Sequence, residues 1–195
     1  MRKRTLLLSI TAVGIAGATA FGWMTIRSGL SARDNPSALE AYLARGARKL
    51  STPASGRNAK NPFAPTAEVL DEARAHFADH CAICHGNNGN GKTQIGQNLY
   101  PKAPDMRLPE TQNLTDGEIY YVIHNGIRLT GMPAWGPEEK DNDSWKLVLF
   151  IHHLPQLTPA EEREMESLNP KSPGEQQQEQ EEDRFLNGEP NLQRH

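Results

Sequence analysis

The chain has 195 residues, of which 36% are apolar and 23% charged, with a formal net charge of −3. This length suits one domain with additional segments, and a mean hydropathy of −0.67 leaves few apolar side chains for a core. Acidic residues outnumber basic ones from residue 68 to the end. This excess argues against nucleic acid binding by the folded part.

An uncharged segment, Thr5 to Ile26, follows a cluster of three basic residues near the N-terminus. As a helix it would extend about 33 Å, enough to cross a hydrocarbon core of about 30 Å. We expect residues 1–27 to form one membrane-spanning signal-anchor in a bacterial cytoplasmic membrane, with its N-terminus in the cytoplasm and the remaining chain in the periplasm. The alternative is a signal peptide cleaved near Ala20, which would leave a soluble periplasmic protein.

Residues 28–65 are predicted to form a tether, because four prolines interrupt them. One short amphipathic helix is expected inside it. Ser37 and Glu40 form a capping box, and apolar residues follow at helical spacing. Either this helix packs its apolar face on the next domain, or it lies on anionic lipid.

Residues 66–157 are predicted to fold as three helices separated by long loops rich in glycine and proline, with no convincing strand alternation. The first helix spans about 67–80, with Thr66 as its N-cap and with Ala73 and Phe77 on one face. We therefore expect an all-α domain.

The second helix begins at a capping box formed by Thr115 and Glu118 and ends at Asn125, before a glycine. The third begins near Asp143 and ends within a few residues of Pro155. A further short helix is expected at 159–168. The acidic, glutamine-rich sequence around and beyond it, 158–195, is predicted to be a largely disordered tail.

The two cysteines, Cys81 and Cys84, are followed directly by His85. The pattern CxxCH is typical of covalent haem attachment, in which each thiol adds to a vinyl group and the imidazole binds the iron. The alternatives are a redox-active pair, which normally lies in a βαβ unit, and half of a zinc site. His152 and His153 are the only candidate partners for such a zinc site.

A second axial ligand is sought among the five methionines. Met1 and Met24 belong to the export segment and Met165 to the tail region, which leaves Met106 and Met132. Met132 lies between a glycine and a proline beyond the second helix, where a rigid loop can bring its thioether to the opposite haem face. We predict Met132 as the distal ligand and a packing role for Met106.

The chain resembles a class I mono-haem cytochrome c of the membrane-anchored bacterial type over residues 66–157. The motifs that carry this resemblance are HCAICHG at 80–86, TDGEIYYVIHNGI at 115–127 and GMPAWG at 131–136. The resemblance implies one haem c, with His85 proximal and Met132 distal. It also implies that the first and third helices cross at Ala73 and Phe77.

In that family a proline carbonyl commonly accepts a hydrogen bond from the proximal imidazole, and Pro101 and Pro104 are both candidates. We expect the three glycines after the motif to let the backbone pass close to the haem: Gly86, Gly89 and Gly91. Trp135 either packs against the haem or lies in the core.

With both axial positions filled, the expected function is one-electron transfer to redox protein partners, without enzymatic activity or a small-molecule substrate. The tether would let the domain swing between membrane complexes. One alternative is a fixed haem c subunit of a respiratory oxidase or periplasmic dehydrogenase. The other is a haem enzyme or gas sensor, which requires Met132 to be absent or displaced from the iron.

Overall fold

The structure is a computed structural model that describes residues 2–28, 31–136, 141–171 and six single positions between 174 and 186. All regular elements within these ranges are helical, which confirms the all-α prediction. The α-helices are α1 (Arg2–Ser28), α2 (Ala38–Ser51), α3 (Ala54–Arg57), α4 (Ala67–His76), α5 (Ala82–His85), α6 (Gln94–Gln97), α7 (Pro109–Gln112), α8 (Asp116–Asn125), α9 (Asp141–His153) and α10 (Pro159–Leu168).

The first helix of the predicted domain is longer than expected. Thr66 caps α4 by accepting a hydrogen bond from the amide of Val69 at 3.3 Å. A π-helical turn, Phe77–Cys81, then joins α4 to α5 without a break in the helical backbone. Such wide turns are frequent at functional sites. The helix therefore continues through the CxxCH motif instead of ending before it.

Helices α4 and α9 cross at the centre of the domain. Ala73 and Phe77 are each only 1% exposed, and the Phe77 ring lies 5.1 Å from the ring of Phe150. A small residue beside an aromatic one lets two helix backbones approach closely while the ring fills the remaining space. The expected pair of residues therefore does lie at the crossing.

Helix α8 has the predicted limits. Thr115 accepts from the amide of Glu118 at 3.2 Å, and the Glu118 carboxylate accepts from the amide of Thr115 at 2.9 Å. The helix ends at Gly126, whose φ of +64° suits glycine. Ile119 and Ile123 are buried against the core.

Helix α10 packs on the domain, although the sequence places it in the tail. Met165 is completely buried in the core. Arg74 of α4 forms an ion pair with Glu164 at 2.9 Å, and His153 contacts Glu161 at 3.2 Å. The folded part thus extends to Leu168, and most of the acidic tail beyond it lies outside the described residues.

The second half of the predicted tether also contacts the domain. Thr52 is buried. Asn61 donates to the carbonyl of Trp145 at 2.8 Å, and the hydroxyl of Thr115 donates to the carbonyl of Arg57 at 2.8 Å. These bonds hold the chain from about residue 52 against α8 and α9, so the part that is free of the domain is shorter than the predicted tether.

The N-terminal helix α1 contains a stretch, Arg4–Arg27, that is long and apolar enough to cross a membrane, with a mean hydropathy of 1.7 in its most apolar window. None of that window is buried within the protein. A signal sequence has the same length and composition, so this property by itself does not separate the two predictions for the N-terminus.

Candidate functional site

The CxxCH motif lies on helical backbone. Cys81 is the last residue of the π-turn, and Cys84 and His85 belong to α5. Residues three apart share a helix face, so the two thiols project from one side of the helix. The side chains of both cysteines are partly exposed, and burial raises the pKa of the Cys84 thiol.

The carbonyl end of α5 is bound by the loop that follows it. The amide of Gly91 donates to the His85 carbonyl at 2.8 Å, and the hydroxyl of Thr93 donates to the Cys84 carbonyl at 3.0 Å. Gly96 packs so closely that a Cβ there would lie 2.2 Å from the same carbonyl oxygen. Thr93 and Gly96 thus hold the motif in place. Neither residue is recognisable from the sequence, because nothing in their spacing marks them.

The glycines after the motif serve close packing within the protein. Gly89 and Gly91 have φ values of +71° and +69°, a region that favours glycine. A Cβ on Gly91 would lie 2.3 Å from the carbonyl oxygen of Ala103, and one on Gly89 would lie 2.6 Å from a methyl group of Leu154. The chain itself comes close at these two positions. That the glycines also let the backbone pass close to a haem stays a prediction.

The imidazole of His85 contains a buried nitrogen, Nδ1, that has no hydrogen-bond partner among the described residues. An unpaired buried polar group costs about 1–3 kcal/mol. Burial also lowers the pKa of His85, which favours the neutral imidazole that binds metals. A neutral imidazole next to the thiols of Cys81 and Cys84 fits a covalently held haem.

The three methionines of the described domain have different surroundings. Met106 and Met165 are buried members of the hydrophobic core. Met132 is only partly buried, in the loop after α8, where its carbonyl accepts from Ile127 at 3.1 Å. The amide of Met106 donates a hydrogen bond to the carbonyl of Gly89 at 2.8 Å, in the segment that follows His85. Met132 is therefore the methionine of this group whose side chain lies outside the core cluster.

Two contacts bring the Met132 loop to the end of the domain that carries the motif. Gly131 contacts Leu99: a Cβ added to Gly131 would lie 2.6 Å from the Leu99 side chain. Leu99 comes shortly after α6, the short helix that packs on α5 and Cys84. On the other side, the ring of Trp135 meets the edge of His80 with 5.7 Å between ring centres. The loop is thus flanked by residues that lie shortly before and after the motif.

Trp135 has a defined packing role. Its amide donates to the Ile123 carbonyl at 3.1 Å, and its side chain packs on the hydrophobic core. Of the two roles weighed from the sequence, these contacts support packing in the core.

The two histidines at the end of α9 lie next to carboxylates. His152 lies 3.2 Å from Asp116, and His153 lies 3.2 Å from Glu161. Among the residues that the structure describes, no group of three or more histidine, cysteine and acidic side chains is arranged to hold a metal ion. The zinc alternative therefore gains no support from the described residues.

The central part of the chain is similar to subunits of cbb3-type cytochrome c oxidases. Residues 68–151 match the family model of cytochrome c oxidase, cbb3-type, subunit III. The cbb3-type cytochrome c oxidase subunit FixP of Azorhizobium caulinodans is 34% identical over 87 residues, which are 40% of this chain and 25% of that protein. Subunit CcoP of Azospirillum brasilense is 27% identical over 146 residues, 73% of this chain and 41% of that protein.

A solved structure, the reducing HAO-like protein complex of Kuenenia stuttgartiensis, aligns with a TM-score of 0.43 and 21% identity over 48% of this chain and 46% of that chain. The chain spans between 25% and 41% of the length of the two oxidase subunits that it matches.

Residues 68–151 are thus similar to a domain of cytochrome c type, and the all-α fold agrees with this similarity. Within that class, the relatives that it matches are subunits of cbb3-type cytochrome c oxidases.

Proposed function

We propose that this chain transfers single electrons through one haem c, covalently held by Cys81 and Cys84, with His85 and Met132 as axial ligands. The haem domain would lie on the outer side of a bacterial cytoplasmic membrane, anchored by α1. The observation that carries the proposal is the helical CxxCH motif, in which the buried Nδ1 of His85 has no partner.

The residues of the chain would have separate tasks. The two thiols hold the group covalently, and the helical backbone fixes the imidazole of His85 beside them. When bound, the haem iron cycles between its ferrous and ferric forms and so supplies the one-electron chemistry. Pro104 lies close to the loop after the motif, since its carbonyl oxygen is 2.9 Å from the position that a Cβ on Gly91 would take. Nδ1 of His85 bonds to neither Pro101 nor Pro104, so the proline partner of the imidazole stays a prediction.

If Met132 held the haem iron together with His85, no open position would remain for a substrate, which would favour electron transfer over catalysis. Met132 lies outside the core in a loop held from both sides by Leu99 and His80. The partners would then be redox proteins. The acidic domain favours partners with a basic docking face, although salt limits such attraction to about 8 Å.

A second candidate is a fixed haem c subunit of a respiratory oxidase. The matched relatives favour it, since they are subunits of cbb3-type oxidases. So do the contacts of residues 52–65 with the domain, because they shorten the tether of a mobile shuttle. Extraction in mild detergent separates the two candidates: a fixed subunit co-purifies with an oxidase in constant ratio, whereas a shuttle elutes alone.

The attachment of the haem is tested with Cys81→Ala, Cys84→Ala and the double variant. Each single variant should retain at most one thioether bond, and the double variant should show no haem on a denaturing gel or in the protein mass. Ile83→Ala, at the exposed position between the cysteines, is the matched control and should keep both bonds. Covalent haem in the double variant would refute the proposal.

A further inference from the structure

Helix α2 exposes its apolar face. Leu39, Tyr42, Leu43 and Leu50 are between 58% and 85% exposed, and α2 has no buried residue. At about 100° per residue these four side chains lie on one side of the helix. A contiguous exposed face of this kind usually marks a surface that something else covers.

The domain contacts the other side of α2. Arg48 is partly buried on that side, and Arg45, Arg48 and Lys49 border a groove of about 200 Å³ whose opposite wall includes Leu114 and Val122.

Two hydrogen bonds fix this orientation. Arg57 donates to the Lys49 carbonyl at 2.8 Å, and the hydroxyl of Tyr100 donates to the Glu40 carboxylate. The capping box is therefore only half formed: Ser37 caps α2, while Glu40 turns to Tyr100. Of the two interpretations from the sequence, packing of the apolar face on the domain is not what the structure shows.

The position of α2 in the chain brings it near a membrane surface. Residues 29–37 separate it from α1, which has the length and composition of a membrane span. Even fully extended, these nine residues reach about 32 Å. Trp23 and Arg27 near the end of α1 are residue types that favour the membrane–water interface. The exposed face of α2 is thus held within reach of the lipid headgroups.

The charges of α2 suit the same surface. Arg45 and Lys49 are exposed and lie between the groove and the apolar face, with Lys49 next to Tyr42 in helical projection. An apolar face bordered by basic residues is the pattern of helices that lie on anionic lipid, where the apolar side enters the acyl boundary and the cations meet the headgroups.

We infer that α2 lies in the plane of the outer membrane–water interface, with Leu39, Leu43 and Leu50 immersed in lipid. The inference rests on the proposed anchoring of the chain by α1 and adds a second attachment to it. Because the domain contacts the polar side of α2, this attachment would hold the haem domain at the membrane in one orientation. The domain would then not swing on a free tether.

The test uses full-length holoprotein in nanodiscs of phosphatidylethanolamine and phosphatidylglycerol. Haem attachment consumes both native thiols, so a single introduced cysteine can carry a nitroxide label. Labels at Leu43→Cys and Leu50→Cys should collide more with oxygen than with a water-soluble nickel complex, at an immersion depth of about 5–10 Å. Spectra are taken on the ferrous protein, to limit broadening by the iron.

Two further labels are controls. Ala44→Cys, also exposed on α2 but away from the apolar face, should favour the nickel complex. Val13→Cys in α1 should lie deep in lipid and reports the anchor separately. If Val13 is in lipid while Leu43 and Leu50 match Ala44, the inference is overturned and the anchor stands.

The remaining outcomes also overturn the inference. A Val13 label outside lipid removes the anchor on which it rests. Labels at Leu43 that are shielded from both reagents and broadened by one another would show that a second copy of the chain covers this face.

Discussion

At the scale of single residues, the surroundings of His85 suit its proposed role as a ligand. The side chain of His85 is partly buried, and this burial lowers its pKa. Because metal binding needs a neutral imidazole, the protein avoids most of the competition with protons. The partnerless Nδ1 then marks the ring as a group whose environment is completed by a bound partner.

Met132→Ala is predicted to lower the reduction potential of the haem by a large amount and to let the ferrous protein bind carbon monoxide. The reason is that a thioether favours reduced iron and occupies the axial position. Redox titration and carbon monoxide difference spectra measure both effects.

Met106→Leu is the matched control for that substitution. Its side chain lies in the core, so the change conserves volume, should cost less than about 1.5 kcal/mol and should leave the potential unaltered. A wild-type potential in Met132→Ala would point to another ligand.

At the scale of elements, α10 shows how little local sequence says about packing. It is acidic and polar, and Met165 is its one buried side chain. Contacts from distant parts of the chain hold this helix on the domain. Arg74 and His153 reach its carboxylates, and Asn88 donates to Glu162 at 2.8 Å.

Met165→Ala is predicted to destabilise the domain by about 2–5 kcal/mol, because the lost side chain leaves a cavity under α10. Urea unfolding of the holoprotein, followed by far-ultraviolet circular dichroism, measures the change. Glu166→Ala, at the exposed neighbouring position, should stay within about 0.5 kcal/mol of wild type. Equal stability of the two variants would show that α10 unfolds independently of the core.

At the scale of the whole molecule, partly buried carboxylates with hydrogen-bond partners link stability to pH. Hydrogen bonds from Arg107 lower the pKa of Asp105. Burial acts to raise the pKa of Glu161, but its hydrogen bonds with Thr158 and His153 outweigh this effect and lower the pKa. Groups with a lowered pKa in the folded state stabilise it when ionised.

We therefore predict that this stabilisation is complete above the ordinary carboxyl range and is lost as pH falls below that range, through the lowered pKa values of Asp105 and Glu161. The urea midpoint at a series of pH values measures the loss. Asp105→Asn and Glu161→Gln should each be less stable than wild type at neutral pH and should lose less stability on acidification. Glu110→Gln, at an exposed carboxyl, should keep the wild-type pH dependence.

Several features of the fold could be predicted because their causes are local. The capping box at Thr115 and the glycine at Gly126 define α8 through bonds between near neighbours in the chain. The CxxCH motif is equally local, since three residues carry its chemistry. The choice of Met132 over Met106 stays a prediction about the ligand, although the core position of Met106 is in keeping with it.

By itself, the sequence determined the helical class, the limits of α8 and α10 and the cluster of Cys81, Cys84 and His85, because backbone caps and covalent motifs depend on residues a few positions apart. Only the tertiary structure decided that α10 joins the core, that Gly91 makes room for the Ala103 carbonyl and that α2 turns its apolar face away from the domain. These outcomes depend on which distant side chains compete for the same surface, and helical spacing alone does not record that competition.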